Sequence, residues 1–83
     1  MDKIIVEIKC PATMKSYEFR ISKRLSAAEG IKKIIGEIRS FEDSEKLLDG
    51  ELSLFSAKSG AILCGEMSFA ENGVASGDVL MII

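Results

Sequence analysis

The 83-residue sequence predicts an α+β domain in which a mixed sheet of four or five strands packs on one main helix. Three observations carry that prediction. Between Ser26 and Phe41 the apolar residues Ala27, Ile31, Ile34, Ile35, Ile38 and Phe41 recur at the three- and four-residue steps of an α-helix, and no other window does so. Two segments of apolar/polar alternation precede this window. After it come short apolar runs separated by glycine-containing turns, the last running from Val79 to Ile83.

Size and composition bound what such a chain does. Eighty-three residues make one domain, 1–83, near the lower end of the range in which a core folds without staples. Two cysteines, Cys10 and Cys64, supply no disulfide framework, so the core has to come from apolar side chains. No basic region leads into a signal-type apolar stretch, and Val79–Ile83 is far too short to span a bilayer. The expectation is a soluble cytoplasmic protein with no membrane insertion. Residues 1–40 carry nine Lys/Arg against five Asp/Glu, and residues 41–83 carry two against eight, so the two parts stand near +4 and −6. An acidic chain without Trp is a poor match for nucleic acid, which calls for a concentrated basic face. A mixed solvated surface accounts for the charge split; two faces of opposite sign that orient a protein partner are the sharper alternative.

Ile4, Val6, Ile8 and Cys10 alternate with Ile5, Glu7 and Lys9, the period of a half-buried strand, and Pro11 ends it. Tyr17, Phe19 and Ile21 alternate with Ser16, Glu18 and Arg20 in a second strand. The connection Pro11 to Lys15 suits a β-hairpin with a longer loop. Ile5 is the odd member, sharing a face with Glu7 and Lys9.

Ser26-Ala27-Ala28-Glu29 reads as a capping box, the serine hydroxyl accepting from the Glu29 amide and the Glu29 carboxylate reaching back to the Ser26 amide. Leu25 is placed for a hydrophobic staple, but its partner position is Gly30. Lys33 lies four residues from Glu29 and from Glu37, the spacing of charge pairs on an exposed helix face. Gly36 falls on that outer face and costs about 1 kcal/mol relative to Ala. Beyond Phe41 the sequence turns acidic, Asp49-Gly50 reads as a turn, and Leu47-Leu48 allow a short helical extension.

Leu52 to Ala57 is the third predicted strand, Ser59-Gly60 a tight turn, and Ala61 to Cys64 a short fourth strand. In the connection Gly65 to Gly73, Met67 and Phe69 are placed to plug the end of the core, and Asn72-Gly73 suits left-handed backbone angles. Val74 to Asp78 is another turn. The near-continuous apolar run Val79–Ile83 suits a central strand.

This order of elements resembles the ubiquitin-like β-grasp fold, in which the last strand lies parallel beside the first in the middle of the sheet and the helix fills the concave face. Gly65-Glu66, Phe69 and the run Gly73-Val74-Ala75-Ser76-Gly77-Asp78-Val79-Leu80-Met81-Ile82 are similar to the C-terminal motif of the YukD/EsaB family. These are small ubiquitin-like proteins associated with type VII secretion in Gram-positive bacteria. The resemblance implies a non-catalytic cytosolic accessory or regulatory component of a type VII (ESX-like) secretion system, whose partner is a cytosolic part of that machine or a sister domain. Conjugating modifiers and sulfur carriers of the MoaD/ThiS kind are the alternative. They use an exposed C-terminal Gly-Gly, whereas this sequence ends Leu80-Met81-Ile82-Ile83.

Catalysis finds no constellation. The sequence has no His to act as a base near neutral pH, its cysteines lack Cys-x-x-Cys spacing and read as structural thiols, and its glycines form no phosphate-cradling loop. No cofactor, metal or catalytic residue is assigned. With Leu80 and Ile82 toward the helix, Val79, Met81 and Ile83 point away from it, and the fold brings Ile5 into the same region. Ile5, Val79, Met81 and Ile83 are therefore the candidate protein-binding patch. A loop or a homodimer would be the other covers for the same apolar residues.

Overall fold

A computed structural model describes residues 2–42 and 50–83. The element order is β1 (Lys3–Cys10), β2 (Lys15–Ser22), α1 (Ala27–Glu42), β3 (Leu54–Ser56), β4 (Ala61–Ile62) and β5 (Val79–Ile82). The strands form one five-stranded sheet in the order β2-β1-β5-β3-β4. β5 runs parallel to β1, while the β1–β2, β3–β4 and β3–β5 pairs are antiparallel. The chain's final strand thus occupies the middle of the sheet, as its two-sided apolar character predicts. Its pairing continues through Ile83, whose amide and carbonyl both bond to Ser53 at 3.0 Å.

The alternation in β1 and β2 is read out directly. Ile4, Val6, Ile8 and Cys10 are buried on one face together with Phe19 and Ile21, while Lys3, Ile5, Glu7 and Lys9 are exposed on the other. Leu54, Leu80 and Ile82 complete the inner face, and Ala27, Ile31, Ile34 and Ile38 of α1 pack on it. Leu63, Phe69 and Val74, from the connections after β4, close the core. Burying a side chain such as Ile34 or Leu80 in this way contributes about 1.5–3 kcal/mol.

The helix stripe holds up to Ile38 and then departs from expectation. Phe41 is 66% exposed and lies across Tyr17, ring centroids 6.3 Å apart and planes 17° from parallel. At that end the inner face is already covered by Tyr17, itself packed against the core, so Phe41 caps the aromatic instead of entering. The Ser26 hydroxyl accepts from the Glu29 amide at 3.2 Å as a helix cap should, but the return bond, from the Ser26 amide to the Glu29 carboxylate, is absent among the described residues. A two-way box forms elsewhere, between Ser68 and Glu71. There the Ser68 amide donates to Glu71 Oε1 at 2.9 Å, and the Glu71 amide donates to Ser68 Oγ at 3.0 Å. The spacing of Lys33 with Glu29 and Glu37 does not close into an ion pair among the described residues: all three side chains are exposed, and water competes with the pair.

Gly30 explains the missing staple partner. A Cβ there would collide with the Phe69 ring, so the glycine is the notch into which Phe69 inserts. Phe69 is fully buried as anticipated, but Met67 is 38% exposed and does not plug the core. The hairpin between β1 and β2 is shorter than predicted, Lys15 being already in β2, and its last residue, Met14, has φ 58°. As regular strands β3 and β4 are shorter than the predicted 52–57 and 61–64, although main-chain bonds from Ser53 to Ile83, from Ala57 to Val79 and from Leu63 to Leu54 continue past their ends. Gly60 and Gly77 supply the left-handed angles of the turns before β4 and β5. In the Asn72-Gly73 pair only Gly73 is left-handed; Asn72 acts through its side chain, accepting from the Cys64 amide at 2.8 Å and donating to the Cys64 and Ser68 carbonyls. The Leu47-Leu48 extension and Asp49 lie outside the described residues.

Candidate functional site: the outer face of the sheet

The helix covers one side of the sheet, and the register determines what the other side presents. Lys9 pairs with Met81, Met81 with Phe55, and Phe55 with Ile62, so these side chains form one row across β1, β5, β3 and β4. Ile62 at the end of the row is 57% exposed, and Phe55 and Met81 are half-buried. Beside the Lys9–Met81 pair lies a shallow depression of about 290 Å³ lined by Cys10, Pro11, Met14 and Lys15 of the hairpin. Met14 is 92% exposed at its margin.

The four residues expected from sequence all face this side, but they do not gather into one cluster. Val79 sits opposite Glu7 and Met81 opposite Lys9, so charged side chains flank both. Ile5 accepts from the Gly77 amide at 2.7 Å and is level with that residue, two positions before Val79. Ile83 pairs with Ser53 at the other end of the strand. Six residues of strand separate the levels of Ile5 and Ile83, about 20 Å. Ile5, 37% exposed, therefore belongs to one end of the face and Ile83, 48% exposed, to the other, with Val79 and Met81 between them. Phe55 and Ile62 were missed because alternation in so short a strand does not say which residue faces out; only pairing with Met81 settles it.

Two polar clusters brace the sheet, one on its helix side and one at the turn before β5. Tyr17 Oη donates to Glu42 Oε2 at 2.9 Å, and Lys15 Nζ bonds both carboxylate oxygens of Glu42 at 3.1 and 3.2 Å, tying the end of α1 to β2. The hydrogen bond from Lys15, then that from Tyr17, holds the Glu42 carboxyl below its ordinary range, and the same contact raises Lys15. Burial, followed by its carboxylate neighbour, pushes the Tyr17 phenol up. At the turn before β5, Asp78 pairs with Lys58 at 2.8 Å and accepts from the Ala75 amide at 2.9 Å; Lys58, then that amide, lowers its pKa.

On the helix side, a groove of about 440 Å³ runs between α1 and residues 50–54, its described lining apolar apart from Lys32, Glu51 and Ser53. Cys10 is buried beneath the sheet. Cys64, expected among structural thiols, is exposed.

With this geometry in place, comparison with known proteins defines the class. No family model matches the chain, and no curated protein matches it. Solved structures do: the N-terminal ubiquitin-like domain of the 4931431F19Rik protein superposes with a TM-score of 0.74 at 20% identity, over 99% of this chain and 74% of that one. The ubiquitin-like domain of the Mycobacterium tuberculosis type VII secretion system protein EccD1 gives 0.72 at 14% identity, over 100% and 99% of the two chains. A chain of the toluene 4-monooxygenase HD complex gives 0.76 at 12% identity, over 96% and 95%. The protein has the ubiquitin-like β-grasp fold.

Proposed function

We propose that this protein is a non-catalytic interaction module of the YukD/EsaB kind, a cytosolic accessory or regulator of a type VII secretion system that docks a protein component of that machine through the outer face of its sheet. The observation that carries the reading is the row Met81–Phe55–Ile62, apolar and running across the outer face of β5 and β3 to the exposed Ile62 on the edge strand β4. The Gly65-Glu66 and Gly77-Asp78 motif and the likeness in fold to the EccD1 domain support the setting. Lys9, level with Met81 in the row, adds positive charge beside it, which favours a partner surface with apolar residues bordered by carboxylates.

The test is capture of secretion components from the cytosol of the producing cell by the immobilised protein, compared with a Met81→Glu/Ile62→Glu variant of unchanged circular dichroism. The reading predicts that a secretion ATPase or another component of the machine is retained by the parent protein and lost with the variant. Retention by both, or no such component with either, would contradict it.

A further inference from the structure

We propose that the free edge of β2 pairs with the same edge of a second copy about a twofold axis at Phe19, joining two sheets into one of ten strands. β2 is eight residues long and, among the described residues, ends the sheet with β1 its one neighbour. The Lys23 amide donates to the Asp2 carbonyl at 2.7 Å, continuing the register Lys3↔Ser22 and Ile4↔Ile21. In an antiparallel ladder the hydrogen-bonded pairs alternate, so Tyr17, Phe19 and Ile21 turn their main-chain groups toward β1. Ser16, Glu18 and Arg20 turn theirs outward, and none of these outward groups has a partner among the described residues.

Charge selects the register. Centred on Phe19, Glu18 of each copy faces Arg20 of the other in a hydrogen-bonded pair, twice by symmetry, and Ser16 faces Ser22. Moving the centre by one residue places Glu18 on Glu18 or Arg20 on Arg20, which repel. A second observation points the same way. Glu18 lies directly opposite Glu7 across the β1–β2 pair, a like-charge juxtaposition with no ion pair among the described residues, and Arg20 of the second copy would bring a cation to it. The ladder tapers at Ser22, whose carbonyl already accepts from Leu25 at 3.2 Å, and Phe19 is already 6% exposed within its own core. The contact is therefore made of main-chain bonds and two ion pairs, which gives a weak, salt-sensitive dimer. This inference stands independently of the docking face, which lies on the flat of the sheet.

Sedimentation equilibrium of the full chain at low salt, up to about 1 mM, reads it directly. The parent protein is expected to dimerise, and Glu18→Arg and Arg20→Glu are each expected to weaken self-association by about tenfold or more. The doubly exchanged Glu18→Arg/Arg20→Glu chain recovers it. An equimolar mixture of the two single variants forms a heterodimer, because the edge with two cations then meets the edge with two carboxylates. Both positions are exposed, and circular dichroism verifies the fold of each variant. A parent protein monomeric throughout, single variants that dimerise as the parent does, or a mixture that fails to associate would each overturn the proposal.

Discussion

At the scale of single residues, the two helix glycines have opposite meanings. Gly36 has open space where a Cβ would stand, so Gly36→Ala is expected to stabilise the protein by up to about 1 kcal/mol through helix propensity alone. Gly30→Ala drives its methyl into two ring atoms of the fully buried Phe69 and is expected to destabilise by about 1–3 kcal/mol. Urea denaturation of both variants checks the pair; stabilisation by Gly30→Ala would show that Phe69 does not occupy the notch. The position of Gly36 on the outside of the helix was legible from the 3.6-residue period. The role of Gly30 was not, because its cause is a side chain far along the sequence in a loop with no periodicity. Asn72 was hidden for a similar reason: a turn signal describes backbone preference, whereas this side chain works by bridging the Cys64 and Ser68 ends of its loop.

At the scale of elements, the helix is fastened at its C-terminal end by Glu42, which receives Lys15 and Tyr17 of β2. Because the folded pKa of Glu42 is lowered from 4.5, its contribution to stability is present above that value and is lost as pH falls through the folded pKa. Glu42→Gln is therefore expected to be less stable than the parent at neutral pH and to show a shallower loss of stability below about pH 4.5. Thermal melts from pH 7 to pH 3 measure both effects; parallel pH profiles for parent and variant would remove the clamp from the account. The hairpin and the helix were legible here because each spans enough residues to display its period. The clamp joins two elements whose ends carry no motif, and the exposed position of Phe41 follows from Tyr17 occupying the space beneath it.

At the scale of the molecule, the order of elements and the inward set Leu80 and Ile82 were legible because a strand apolar on both sides belongs in the middle of a sheet. Which residues share the outer face was only partly so. Val79 and Met81 alternate out of the core as expected, but register alone decides that Met81 meets Phe55 and Ile62 and that Glu7 and Lys9 stand between the ends marked by Ile5 and Ile83. Both proposed contacts depend on that frame, one on the outer flat of β5, β3 and β4 and one on the edge of β2. The frame itself rests on the position of β5. A strand between two neighbours bonds its successive amides alternately to each, whereas a strand at a margin leaves every second amide to solvent. Native-state hydrogen exchange followed amide by amide is the direct measurement. The account predicts that the consecutive Leu80 and Met81 amides are both protected to the level of Ile8 in β1; fast exchange at either one would contradict a terminal strand held in the centre of the sheet.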